Sequence, residues 1–312
     1  MRGWRDIPKM ELTIDQRVQH EEFADFIRQV ANGDVPTHRL AKNDISLIKL
    51  PCHLVRPFID QQDALQWFMP VSTLQRDCNG KGAILCADNE RVDALNAVIQ
   101  KRRNSPTTTL CSATNIKDAP DGSGDLMCAP EVLYGLTTPS VPPHLLVLAV
   151  GDIVILQRNL DKRVSLTNNT RLRILEINTK FIKVQTLDEK PVSHLIPKIT
   201  FSFRPYPNAG GAMKLLEVNR YQFPLRLAYA MTFNKSQGQT LEKVLIDGIT
   251  RKYARHEAHG AFTHGQLNVA LSRVRSPDRI AILVDESNTV RDGNQLCALT
   301  ANIVFRSILN YV

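Results

Sequence analysis

The spacing of apolar residues changes along this chain, and the changes mark out its elements. Phe23, Phe26, Ile27 and Val30 recur at i, i+3, i+4 and i+7, with Gly33 as a stop, which predicts a helix. Asp44–Leu50 reads as a strand closed by Pro51, Ile59–Leu74 as a helix, and Gly82–Ala87 as a short apolar strand. Asp88 or Asn89 can cap the next helix, whose apolar face is Val92, Leu95 and Ile99. Ser105–Pro143 is rich in Thr, Ser, Pro, Gly and Asp and reads as loop or linker. Short strand patterns without helical spacing follow at Leu145–Ala149, Ile153–Gln157, Arg171–Ile177, Phe181–Leu187 and Ile199–Phe203. Turn signals such as Asn168-Asn169 and Asn178 separate some of them, which suggests a small β-barrel. Leu225, Leu227, Tyr229 and Met231 alternate like one strand with a single buried face. Leu267, Ala270, Leu271 and Val274 return to helical spacing, strand-like Ile280–Val284 comes next, and Gln295–Leu309 is expected to be a final helix.

Composition narrows the picture. The 312 residues are 43% hydrophobic and 22% charged, as in ordinary globular proteins. Lys plus Arg is 39 against 31 Asp plus Glu, a net charge of +8 that favours a polyanionic partner. Met1–Glu22 holds no continuous apolar run of the signal-peptide kind. The longest apolar stretch, Leu145–Leu156, is broken by Gly151 and Asp152 and is too short to span a bilayer, so no membrane role is expected. The six cysteines (Cys52, Cys78, Cys86, Cys111, Cys128 and Cys297) form no C-x-x-C pair and are expected to be reduced thiols of an intracellular protein. His256, His259 and His264 read as solvated loop histidines, and no metal site is expected.

Candidate chemistry concentrates in two places. The predicted strand ending at Met231 runs into Thr232, Asn234, Lys235, Ser236, Gln237, Gly238, Gln239 and Thr240. A buried strand that ends so presents N–H groups, hydroxyls, amides and one ammonium, the groups that hold phosphates and sugar–phosphate backbone. A polar turn of no function is the plain alternative. Arg273 and Arg275 stand near the end of the second element, Gly265–Ser276. An Arg fixed by a packed helix can stabilise charge on a transferring phosphoryl group, or it can merely cap its helix.

Together these strings, AMTFNKSQGQTL and then F-x-x-GQLNVALSRV from Phe262 to Val274, resemble motifs V and VI of the Pif-type and Helitron-type DNA helicases of superfamily one. Met10–Arg17, MELTIDQR, is similar to motif IV, with Asp15 in place of Asn. Cys86–Asn96, CADNERVDALN, is similar to the family's T-x-T-N-x-x-V-D-x-I-N segment, with Cys86 and Asp88 replacing hydroxyls. Val141–Asp161 resembles the start of the family's inserted 2B domain, Asn168–Arg171 its N-G-T-R turn with Asn169 for Gly, and Arg220–Pro224 its R-x-Q-F-P. Thr250–His259 is longer and more charged than in the family and is assigned no role. The resemblance runs from about Glu11 to Val284.

It implies an α/β fold: a RecA-like parallel-sheet domain (1–128 and 213–312) interrupted by a small SH3-like β-barrel insert with its linker (129–212). It also implies the C-terminal half of a 5′-to-3′ DNA helicase. Arg17 and Arg273 would reach the nucleotide's terminal phosphate, with Gln237 and Gly238 lining the cleft. Thr232, Asn234, Lys235 and Ser236 would hold single-stranded DNA. The location would be nuclear or mitochondrial in a eukaryote. Genome maintenance (repair, recombination, telomere maintenance) and transposon replication both stay open.

A phosphate loop, G-x-x-x-x-G-K-[ST], is missing from the sequence. The only Gly-Lys pair, Gly80-Lys81, has Gln75 and Gly82 at the other required positions, and Gly210–Lys214 fails the spacing. Ile280–Glu286, IAILVDE, has the form of a Mg²⁺-site strand but reads as a core strand. ATP and Mg²⁺ would therefore bind mainly to an N-terminal RecA-like P-loop half outside this chain, and the chain alone is expected to be inactive. A non-catalytic single-stranded nucleic-acid-binding remnant is the rival reading, and a protein-interaction module a third.

Overall fold

The computed structural model describes residues 17–18, 20–39, 46–52, 56–58, 60–70, 80–116, 130–136, 138, 140–204, 217–247, 264–283, 289–292 and 295–304. The expectations for Met10–Gln16, Gly210–Lys214, Thr250–His259, Phe262, Asp285 and Glu286 lie outside them. The chain divides into two compact units, one formed by 1–64 with 237–312 and one by 65–236.

In the first unit, the helix Glu21–Asn32 forms as its spacing predicts and buries Phe23, Phe26, Ile27 and Val30. His20 caps it by accepting from the Phe23 N–H, and Glu21 and Glu22 suit the positive end of its dipole. Gly33, at φ 76°, closes it in the left-handed region. Arg56–Phe58, Ile280–Leu283 and Lys243–Ile246 pair in parallel. Val244, Leu245, Ile246, Ile280, Ala281 and Ile282 are all buried, the continuous apolar run of a strand covered on both faces.

The remaining strands of this unit correct the sequence in two respects. Gln295–Ala301, expected to be helical, is a strand, paired antiparallel with Ser46–Lys49 on one side and Thr289–Asp292 on the other. Leu47 and Leu299 share its core. Its apolar run suits either state, and pairing with a distant strand decides between them. That pairing also brings Cys52 beside Cys297, Cα atoms 5.0 Å apart and joined as a disulfide, where reduced thiols were expected. A separation of 245 residues left no spacing signal to read.

In the second unit, Gly82–Cys86 pairs in parallel with Ala230–Thr232. The helix Asn89–Arg103 follows, with Asp88 Oδ1 accepting from the Arg91 N–H at 2.7 Å and Asn104 closing it at φ 49°. All five predicted strands after 144 form. Three of them build a five-stranded antiparallel sheet in the order Ser193–Pro197, Phe181–Thr186, Arg171–Ile177, Ile153–Leu156, Leu225–Leu227. Leu145–Ala149 pairs instead with Thr107–Cys111, and Ile199–Phe203 with Val218–Gln222, which also takes Ala113–Ile116. Asn169 sits at φ 70°, so it replaces glycine in the left-handed turn. The reading of 105–143 as loop is corrected by two strands and the short helix Pro130–Gly135. The β-branched run Thr107–Thr109 was a strand signal hidden in polar composition.

Leu225–Met231 is not one strand. Leu225–Leu227 belongs to the antiparallel sheet and Ala230–Thr232 to the parallel pair. Ala228, Tyr229, Ala230 and Met231 are all buried, so no exposed face alternates there. The Asn96 side chain holds the join: its Nδ2 donates to the Leu227 and Ala230 carbonyls, and its Oδ1 accepts from the Ala230 N–H at 2.8 Å. Tyr229 donates its hydroxyl to Asp152 Oδ1 at 2.8 Å, and buried Arg103 pairs with the same carboxylate.

Candidate functional site

The first unit brings two predicted arginines together. Helix Gln266–Leu271 buries Leu267, Ala270 and Leu271, and Arg273 follows one residue past its Ser272 cap. The helix is anchored because the Leu241 N–H donates to the Arg273 carbonyl at 2.8 Å. The Arg273 guanidinium, only 6% exposed, donates to Val269 O at 2.7 Å, Ser272 Oγ at 2.8 Å and Gln239 O at 3.2 Å. Arg17 lies 255 residues upstream of Ser272 and donates to its carbonyl at 3.0 Å and to Thr240 Oγ1 at 3.2 Å. Two guanidiniums thus converge on Ser272. Burial first, and the Arg17 charge second, push the Arg273 pKa down to about 10. A site that penalises the Arg273 cation in this way is relieved when an anion arrives.

Gln237 and Gly238 are both exposed at the start of the turn that leads to Gln239 and Thr240. Gly238 has φ 84°, and nothing lies within 4 Å of where a Cβ would stand, so glycine is required by the backbone rather than by crowding. Ser272, Gln239 and Thr240 were not singled out from sequence for the arginine site, yet all three hold it. Each lies within the quoted motif strings, and that was the available signal.

The second unit carries the polar turn. Thr232 ends its strand half-buried, and Phe233–Ser236 forms one short helical turn seated on buried Phe233. Asn234 is exposed and Lys235 half-buried. Ser236, expected among the DNA-contacting side chains, is 0% exposed and donates its hydroxyl to Phe233 O at 2.7 Å. It therefore shapes the turn from inside. The Lys235 pKa is lowered by burial and then by the Arg226 charge, with Asp93 acting the other way. Arg226 and Asp93 form an ion pair beside it.

Among the described residues no group of three or more His, Cys, Asp or Glu is placed to hold a metal ion. No helix among them is long and apolar enough to cross a membrane.

Residues 131–177 match the family model described as "DNA helicase Pif1, 2B domain". A relative named ATP-dependent DNA helicase Pif1, from Campylobacter jejuni, is 24% identical over 200 residues, which is 64% of this chain and 41% of that protein. The Homo sapiens ATP-dependent DNA helicase PIF1 is 30% identical over 162 residues, 52% of this chain and 23% of that one. The chain thus spans less than half the length of either. Among solved structures, that of Pif1 helicase from Candida albicans matches with TM-score 0.53 and 22% identity over 86% of this chain and 55% of its own. Bacteroides Pif1 bound to single-stranded DNA gives 0.53 and 22% over 88% and 51%. In fold the chain is similar to these Pif1 helicase structures. In sequence and fold together it is similar to the C-terminal half of the Pif1-type helicases.

Proposed function

We propose that this chain is the C-terminal motor half of an ATP-dependent 5′-to-3′ DNA helicase that acts inside the cell. The observation that carries the reading is the convergence of Arg17 and Arg273 on Ser272, where burial and the Arg17 charge destabilise the Arg273 cation. In this reading residues 1–128 and 213–312 form the second RecA-like domain, and 129–212 an SH3-like 2B insert with its linker. ATP and Mg²⁺ bind mainly to an N-terminal P-loop half, and ATP supplies the energy for movement along the strand. This chain's part is to place Arg17 and Arg273 against the terminal phosphate, with Gln237 and Gly238 beside them. Thr232, Asn234 and Lys235 contact the backbone of single-stranded DNA, while Ser236 keeps their turn in shape.

A second reading, a non-catalytic single-strand-binding remnant, draws on the inward hydrogen bonds of Arg273 to Val269 and Gln239. Steady-state phosphate release separates the two. The chain alone, with excess single-stranded DNA, is expected to release none above background. Fused to a P-loop half from a Pif1-type helicase, it is expected to turn over ATP on the scale of typical enzymes, about 1 s⁻¹ or faster. A folded fusion that binds DNA but stays inactive would favour the remnant.

A further inference from the structure

The Cys52–Cys297 disulfide lies in the same unit as the arginine pair and joins the two chain segments that build it. Cys52 stands just past strand Ser46–Lys49 and is partly exposed, whereas Cys297 sits within strand Gln295–Ala301 and is 2% exposed. Beside them the Leu50 N–H donates to Ala298 O at 2.8 Å. The strand continues into Asn302, Ile303 and Val304, and each of these meets a helix end of the site. Asn302 Nδ2 donates to Val30 O at 2.9 Å, near the end of helix Glu21–Asn32. Ile303 O accepts from the Gly265 N–H at 3.1 Å, at the start of helix Gln266–Leu271. The Val304 side chain lies against Gly33, 3.2 Å from where a Cβ would stand. The two helices pack on each other, with Arg17 just before the first and Arg273 just after the second. The strand that carries Cys297 therefore runs straight into a clamp on both helices.

We propose that the Cys52–Cys297 bond is a thiol-responsive latch on the arginine site: formed, it fixes the strand and its clamp, and cleaved, it lets the clamp and both helices loosen. The proposal rests on the reading of the chain as one that acts inside the cell, among abundant small thiols. Disulfides in that setting are usually transient, catalytic or redox-sensing. A separation of 245 residues is not that of a C-x-x-C catalytic pair. The chemistry is thiol–disulfide exchange with glutathione. A glutathione thiolate attacks Cys52 Sγ, the more exposed sulfur, and a mixed disulfide forms as the Cys52–Cys297 bond breaks. The Cys297 sulfur leaves with the electron pair and takes up a proton. A second glutathione thiolate attacks the mixed disulfide, forming oxidised glutathione and releasing Cys52 as a thiol. Two small thiols are oxidised to one disulfide, and the protein bond gains two electrons and two protons. Oxidised glutathione runs the same steps in reverse.

The test uses the full chain in two buffers, one with a large excess of reduced over oxidised glutathione and one with the reverse. Alkylation followed by mass spectrometry reads the state of Cys52 and Cys297, and amide hydrogen exchange reads the clamp. Both cysteines are expected to alkylate in the reducing buffer and to be protected in the oxidising one. On reduction, exchange at the Leu50 and Gly265 N–H groups should rise about tenfold or more, as local opening becomes easier. Exchange at the Leu241 N–H, which donates to Arg273 O, should rise about threefold or more. The Gly151 N–H, bonded to Ile174 O in the second unit, should not respond. Cys52→Ser should exchange at the reduced rate in both buffers, and if that variant folds poorly the wild-type comparison decides alone. A bond that survives the reducing buffer is a permanent tie and overturns the latch, as does one that fails to form in the oxidising buffer. Equal exchange at Leu50, Gly265 and Leu241 in the two states overturns it as well, and so does an equal rise at Gly151, which would mark general unfolding. None of these measurements uses ATP or DNA, so a failed latch is distinct from a failed helicase reading, which the fusion assay decides.

Discussion

Arg220 and Arg273 are both buried guanidiniums that donate to backbone carbonyls, and they differ in what they join. Arg220, 0% exposed, donates to Thr114 Oγ1 at 3.2 Å, Pro142 O at 3.1 Å and Leu133 O at 2.9 Å, and lies over the Phe203 ring. Those partners come from a strand, a connecting segment and a short helix, so the side chain is a tie between them. Its pKa is lowered by burial. Arg273 instead bonds its own helix end and one neighbouring carbonyl, and a second arginine stands against it. Burial with carbonyl partners is therefore no sign of function here. A second cation drawn onto the same residue is the distinguishing mark.

The largest separation between the two arginines should appear in turnover. In an active fusion with a P-loop half, Arg273→Lys is expected to lower kcat by about 10³-fold, as with other arginine fingers, because a point charge replaces a planar fork. DNA affinity without nucleotide should stay near wild type. Turnover that survives the change would reduce Arg273 to a helix cap and leave the assignment on Arg17. Arg220→Ala should act on folding instead. It strands three acceptors, and bonds to a charged group contribute about 1.5–3 kcal/mol each. Urea unfolding should show a loss of about 3 kcal/mol or more, with amide exchange accelerated first along Ala113–Ile116. If Arg220→Ala is silent in urea, the tie is not one.

The sequence was most legible where the signal is local. The Glu21–Asn32 helix, the Asp88 cap and the left-handed Asn169 each depend on residues within one turn of themselves. It was least legible where a distant partner decides. Period-two counting ran straight through Leu225–Met231, because it cannot see that Leu227 pairs with Val154 while Ala230 pairs with Ile84. Leu296–Leu299 suited a helix until Leu47 and Ile48 supplied an edge to pair with. The arginine site divides in the same way. Its members were visible as motif residues, but the meeting of Arg17 with Ser272 across 255 residues was not. Nor was the inward turn of Ser236, since a serine in a polar string reads as exposed.

Two smaller effects sharpen the comparison from the side of the polar turn. Lys235→Ala should lower the salt dependence of single-strand binding by about 0.7 log units per log unit of salt, one phosphate's share. A slope that does not change would remove Lys235 from the backbone contacts. The pH dependence carries a definite sign. Only the ammonium form binds phosphate, and burial with Arg226 holds its pKa below the usual 10.5. Affinity should therefore fall as pH rises through a value lower than for a solvated lysine, and Lys235→Arg should hold its affinity through the same range. Matching profiles for the two proteins would mean that some other group titrates.

The discontinuity of the first unit bears on how the chain is made. Residues 65–236 are contiguous and can fold as soon as they leave the ribosome, but 1–64 must wait for 237–312. At typical synthesis rates that wait is roughly ten to fifty seconds. Through it Leu47 and Ile48 have no Leu299–Ala301 strand to pair with. Residues 1–64 thus lack part of their sheet until then, and a truncation that removes 295–301 should leave an aggregation-prone product although the 65–236 unit remains whole.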